Sequence, residues 1–185
     1  TTGYATVDFD QWPSLSRYVL LFLMMIGACA GSTGGGMKVS RFLLSVKSAL
    51  RELNSYLFPK SVKKIKMDGK TVDEEAIRGI NVYFTAYILL VVLSVFLICI
   101  NGMDIESAFS SVLGTFNNIG PGLGKFGPTC NFGWVSTFSK YVYIFDMLAG
   151  RLELFPVLIL LYPPSWRGLL KRSMKRKKNK RATTI

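Results

Sequence analysis

Long apolar runs separated by short basic or glycine-rich stretches dominate the chain. Three of them, residues 18–30, 77–100 and 134–162, reach or approach the roughly 20 residues that cross a bilayer as a helix. The first stops at glycines, and its helix is expected over 14–30. The second follows a capping-box pattern at Thr71 and Glu74. The third is interrupted by Gly150 and Arg151 and closed by Pro163 and Pro164. Between the first two, Val39, Phe42, Val46, Leu50 and Leu53 recur at helical spacing among basic residues, which predicts an amphipathic helix over 37–53. Asp68-Gly69 is a two-residue turn signal and predicts a small hairpin within 62–72. Asp104 is placed to cap a short helix ending near Phe116.

The pattern repeats. The twelve residues from Ser16 to Gly27 align without gaps on those from Ser139 to Gly150, a shift of 123, and six pairs are identical. Each copy is preceded by a glycine turn, Gly3 in the first and Gly120 in the second. Both copies keep the order turn, outer loop, apolar helix, which is the signature of an internal structural repeat.

Charge orients these segments. Of 23 Lys and Arg, ten fall within residues 38–78 and nine within 167–181. The positive-inside rule puts both blocks in the cytoplasm and both glycine turns outside. The net charge of +12 therefore reads as topology and attraction to a lipid bilayer, not as a nucleic-acid footprint. Half of the residues are hydrophobic and the mean hydropathy is +0.33, which agrees with a membrane protein.

Several chemistries are excluded. The chain has no histidine, and Cys29, Cys99 and Cys130 are far apart without metal-ligand spacing. No nucleophile–base pair stands out, so an enzyme is not expected. The run Gly31-Ser32-Thr33-Gly34-Gly35-Gly36 fails as a phosphate cradle. Its lysine falls at 38 where position 37 is required, and no strand precedes it. Non-helical backbone at membrane depth is tolerated where protein buries it or water reaches it.

The two glycine turns carry the candidate chemistry. They are Thr1-Thr2-Gly3-Tyr4 and Asn118-Ile119-Gly120-Pro121-Gly122, each leading into a membrane-length stretch. Carbonyl oxygens in such turns can replace the water around a potassium ion. The candidate ion contacts are carbonyls of Thr1, Thr2, Gly3, Asn118, Ile119 and Gly120. A helix over 104–116 would aim the negative end of its dipole at Gly120, which favours a cation there. Plain surface turns are the alternative use of these glycines. Arg151 lies mid-span, where its insertion costs a few kcal/mol, so a pore-facing or bundle-facing role is the default. Asp146 sits five residues earlier, about 140° around the helix, and is poorly placed to pair with it.

Four motifs occur in order: Thr1-Thr2-Gly3-Tyr4; the glycine run followed by Met37-Lys38; Asn117-Asn118-Ile119-Gly120-Pro121-Gly122-Leu123-Gly124; and Gly150-Arg151-Leu152-Glu153-Leu154-Phe155. Together they resemble the C-terminal half of potassium-uptake subunits of the TrkH type, in the superfamily that includes Ktr and fungal Trk transporters. The resemblance covers residues 1 to about 168. It implies an all-α membrane protein built from helix–pore-loop–helix repeats of potassium-channel type, with this chain holding the end of repeat three and all of repeat four. Beginning at Thr1 inside a motif, the chain reads as a C-terminal fragment.

The implied organisation is as follows. Residues 1–53 hold the end of the third pore loop, a broken helix and its amphipathic continuation. Residues 54–76 form a cytoplasmic hairpin linker, 77–166 the fourth repeat, and 167–185 a basic tail. The resemblance makes Gly31, Ser32, Thr33, Gly34, Gly35 and Gly36 an intramembrane gating loop beneath the filter, with Arg151 projecting into the pore to meet it. It also implies a homodimer docked on a cytosolic nucleotide-binding ring of the TrkA type, in the bacterial inner membrane. The potassium ion is the only cofactor expected, with no organic one. A KtrB-like sodium-dependent transporter and a non-transporting assembly subunit are the alternative readings.

Overall fold

A computed structural model describes residues 3–32, 34–59 and 64–151. Five helices and one small hairpin account for it: α1 Ser14–Ile26, α2 Val39–Leu57, β1 Lys66–Met67, β2 Lys70–Thr71, α3 Glu74–Cys99, α4 Ile105–Phe116 and α5 Thr137–Arg151. Thr1, Thr2, Thr33 and residues 152–185, including the basic tail and the end of the third apolar run, lie outside the described residues.

α3 has 26 residues, so it is about 39 Å long, and it is apolar enough to cross a membrane. Its buried positions, Ile77, Tyr83, Tyr87, Val91, Ser94 and Ile98, form one stripe at helical spacing. The opposite face exposes Val82, Leu89, Val92 and Phe96, as a lipid- or protein-facing surface of a membrane helix would. α1, at 13 residues, stops sooner than the expected 14–30. Gly27 adopts φ +78 and ends it, because that backbone is cheap only for glycine. The small apolar residues that follow hide this stop in the sequence.

The capping box expected at Thr71 and Glu74 does not form. Thr71 is paired with Lys66 in the hairpin, and Asp73 occupies the N-cap of α3 without a side-chain hydrogen bond. The hairpin turn itself is as expected. Asp68 (φ +51) and Gly69 (φ +78) are both left-handed, the requirement of a tight two-residue turn whose twist matches its strands. Ile65 packs with Leu44 of α2 and Ile77 of α3, which seats the hairpin on those helices. Lys47 Nζ donates to the Lys66 carbonyl at 3.0 Å, and Arg51 forms a two-pronged ion pair with Glu74. α2 runs past the expected residue 53 to Leu57, and α5 begins at Thr137 rather than 134.

α4 is the centre of the assembly. Nine of its twelve residues are buried, among them Ser107, Ser110, Ser111 and Thr115. Polar groups buried in this way must be satisfied internally. Thr115 Oγ1 donates back to the Ser111 carbonyl at 2.9 Å, Ser111 Oγ meets the Tyr143 hydroxyl of α5 at 2.8 Å, and Ser110 Oγ accepts from Leu123 N–H at 2.9 Å. Asp104 caps the helix as expected, accepting from Ser107 N–H at 3.0 Å. Hydrogen bonds from Ser107 hold the Asp104 carboxyl below its usual range. α1, α3 and α5 all pack on α4.

The repeat register extends to the helix starts. Ser14 and Thr137, the first residues of α1 and α5, are also 123 apart.

Candidate ion site and glycine loop

α4 ends in a turn whose N–H groups point back into the helix. Asn117 N–H donates to the Leu113 carbonyl at 3.0 Å and Asn118 N–H to Thr115 at 3.0 Å. The N–H groups of Ile119 and Gly120 both reach the Gly114 carbonyl, at 2.8 and 3.1 Å. The carbonyls of Asn118, Ile119 and Gly120 accept no hydrogen bond from any described residue. Donors tied back and acceptors left free is the arrangement a carbonyl ion site needs. Asn118 (φ +54) and Gly120 (φ +105) are both left-handed, and that backbone produces the reversal.

The two glycine turns meet. A Cβ on Gly3, which has φ +79, would stand 2.5 Å from the Ile119 carbonyl oxygen and 3.2 Å from Pro121 Cδ. No side chain fits there, so residue 3 brings its backbone against the second turn. Of the free carbonyls, that of Ile119 lies against Gly3. That of Gly120 lies against α4, 3.1 Å from where a Cβ on Gly114 would be.

On the outer side, the same two repeats are tied through polar contacts. Asp10 Oδ1 accepts from Gly124 N–H at 3.0 Å, and Arg17 lies 3.6 Å from Asp10 and 3.4 Å from Glu106. The Asp10–Gly124 contact links residues 114 positions apart. Together these contacts fix the outer loop of one repeat on that of the next.

The glycine run divides in two. Gly31 and Ser32 are exposed, whereas Gly35, Gly36 and Met37 are buried. Val39 N–H donates to the Ala28 carbonyl at 3.0 Å and closes the neck of the loop. The buried half packs under the end of α4. A Cβ on Gly35 would lie 2.8 Å from Asn118 Nδ2 and 2.9 Å from the Asn117 carbonyl, and one on Gly36 would overlap the Asn117 side-chain oxygen.

Gly150 occupies the same junction from the other side. A Cβ there would overlap the Phe116 carbonyl oxygen and stand 3.2 Å from Asn118 Nδ2. Asn118 Nδ2 also donates to the Met147 carbonyl at 3.2 Å. Arg151 follows Gly150, is exposed, and its side chain makes no hydrogen bond or ion pair with any described residue. The glycine loop and the Gly150 turn of α5 thus both abut the Asn118 amide, at one level of the fold. Asp146 does not pair with Arg151. It is fully buried and accepts from Ser94 Oγ of α3 at 2.7 Å.

Sequence reasoning misses three residues here. Asn117, Tyr83 and Tyr87 join the loop to α4. The available signal is a pair of tyrosines four apart on one face of an apolar span.

A short buried helix, a glycine turn with free carbonyls at its negative end and, among the described residues, one flanking helix long enough to cross a membrane define the class: a helical membrane protein with pore-loop architecture. The chain belongs to the TrkH family of cation transport proteins, whose profile matches residues 1–166. It is 44% identical over 168 residues to the Trk system potassium uptake protein TrkH of Vibrio parahaemolyticus, covering 91% of this chain and 34% of that one. It is 41% identical over 167 residues to the protein of the same name from Escherichia coli K12, covering 90% and 34%. The crystal structure of the potassium transporter TrkH from V. parahaemolyticus superposes with a TM-score of 0.80, over 89% of this chain and 35% of that chain. The chain spans about a third of the length of these relatives.

Proposed function

We propose that the protein containing this chain takes up potassium through one pore, with Gly3 and Gly120 in two of its four filter turns and the 31–36 loop as its gate. The observation that carries this reading is the meeting of the two glycine turns beside carbonyls free of internal hydrogen bonds. The relatives' names, Trk system potassium uptake protein, support potassium as the cargo. Potassium-dependent growth of a host lacking its own uptake systems, complemented with the full-length protein, tests it. Growth at limiting potassium is expected; failure of a correctly inserted protein to support growth would remove transport from the reading.

Gating follows from position. The loop lies under the end of α4, and the Arg151 backbone is at that level. A guanidinium has five donors for loop carbonyls, and its charge opposes a cation arriving there. Deleting Gly34, Gly35 and Gly36, or changing Arg151→Ala, is expected to raise basal potassium flux in proteoliposomes. The double change should add little beyond the larger single effect, because both remove one barrier. Flux at the wild-type level in both single variants would leave Arg151 as a bundle residue.

Assembly follows the family pattern: a homodimer in the bacterial inner membrane, docked on a cytosolic nucleotide-binding ring of TrkA type. The hairpin is the candidate docking element, since its Lys66, Asp68, Gly69 and Lys70 are exposed. Deleting residues 62–72 should weaken co-purification with that ring. Undiminished co-purification would move the contact elsewhere.

A further inference from the structure

We propose that Asn117 is a positioning residue that couples the glycine loop to the filter turn, and that Tyr87 and Tyr83 of α3 anchor it. The inference rests on the pore reading above and names what holds the gate in register with the filter.

Asn117 stands at the joint. It is the C-cap of α4, with φ −87 and ψ 3, and Asn118 with its left-handed backbone comes next. Its side chain is completely buried. Its carboxamide lies flush on Gly36, where a Cβ would overlap it, so the contact exists only because residue 36 is glycine. The Tyr87 hydroxyl donates to Asn117 Oδ1 at 3.2 Å, and Nδ2 has no partner among the described residues. Whichever way the carboxamide is turned, Tyr87 takes one polar end and the other is left over. A buried amide half-satisfied in this way favours any loop position that completes it.

Tyr83 is one turn earlier on the same face of α3. Its hydroxyl donates to the Gly36 carbonyl at 3.5 Å, and the Arg41 guanidinium of α2 sits 4.5 Å over its ring. The two tyrosines therefore touch the two sides of one contact: Tyr83 holds the loop at Gly36, and Tyr87 holds the filter's supporting residue at Asn117. Tyr87 is fixed independently of its hydroxyl, since its ring packs edge-on against Phe116 at 5.0 Å. The hydroxyl can thus be removed without opening the core. A loop that leaves its place must slide off the carboxamide, and the carboxamide belongs to the residue preceding Asn118. Movement of the gate and geometry of the filter are linked through that one side chain.

The test uses full-length protein in membrane vesicles, with thiol labelling as a readout independent of transport. Cys29 lies within the loop neck and is exposed. Its rate of modification by a charged methanethiosulfonate reagent, with other reactive cysteines replaced, reports loop position. Tyr87→Phe should raise that rate about five-fold, the factor corresponding to a lost hydrogen bond of about 1 kcal/mol. It should raise basal potassium flux alongside. Asn117→Ala should do the same, and the double variant no more than the larger single one. Labelling and flux at wild-type values in Tyr87→Phe overturn the proposal, as does a fall in melting temperature with labelling unchanged. If the wild-type protein takes up no potassium yet labelling responds, the coupling stands and the pore reading falls.

Discussion

Gly150→Ala should be the most damaging single-methyl change in the described chain. An alanine in a helix normally stabilises by about 0.5–1 kcal/mol relative to glycine, because the glycine chain has more freedom to lose. At Gly150 the new methyl would occupy the space of the Phe116 carbonyl oxygen. That oxygen belongs to the last turn of α4, where residues 113–116 are all buried, so it cannot shift cheaply. α5 must then move away from α4 and draw Asn118 Nδ2 off the Met147 carbonyl. Overpacking of this kind costs about 1–3 kcal/mol, and the lost hydrogen bond adds to it. Gly79 is the control, since it lies in α3 with nothing within 4 Å of its Cβ position. Gly79→Ala should be neutral or slightly stabilising. Thermal unfolding of the detergent-solubilised full-length variants compares them, and equal melting temperatures would show that α5 is not seated on α4.

Gly120→Ser should weaken discrimination of potassium over sodium. Gly120 has open space around its Cβ position, so the side chain itself meets no clash. The effect comes from the backbone, because φ +105 is a conformation that residues with a Cβ rarely adopt. Relaxing it rotates the peptide groups on either side and disturbs the carbonyls of Ile119 and Gly120. Selectivity depends on the number and placement of such dipoles, so a small rotation is felt. Uptake of both ions by full-length protein should show the preference for potassium falling by about ten-fold, which corresponds to about 1.4 kcal/mol. An unchanged preference would take Gly120 out of the filter.

Much of the scaffold is legible in the amino-acid sequence. The repeat shift of 123 relates α1 to α5, whose first residues keep that spacing although the apolar run itself begins at 134, because segments built on one plan share their register. Asp104 announces α4, since a side-chain cap and a helix start are one physical event. Asp68-Gly69 announces the hairpin for the same kind of reason. What stays hidden is tertiary. Gly27 and Gly150 align in the repeat, yet one breaks α1 and the other lets α5 approach α4. A sequence records the glycine and not which use the fold makes of it. Thr71 and Glu74 satisfy the letters of a capping box, but Thr71 is committed to β2. Asn117 looks like a bystander beside Asn118. Only the contact with Gly36 and Tyr87 shows that it stands between the glycine loop and the turn that follows α4.

Within the candidate site, Gly3, Asn118, Ile119 and Gly120 are together, and Gly35 and Gly36 pack against Asn117 and Asn118. Gly31 and Ser32 are on the exposed limb of the loop. Three of the four glycines in this run of six have a reason in the fold. Gly36 needs its bare Cα against Asn117, Gly31 needs φ +81, and Gly35 has backbone and amide atoms within 3 Å of its Cβ position.

If two glycine turns of this chain form part of one ion-coordinating ring, an ion must sit between them. Anomalous scattering from rubidium or thallium in crystals of the full-length protein looks for that ion without intermediaries, because both substitute for potassium and locate themselves. A peak is expected beside Gly3 and Gly120, within coordination distance of the Ile119 carbonyl. A transport-competent protein whose ion peak lies elsewhere, with none between these turns, would contradict the shared ring.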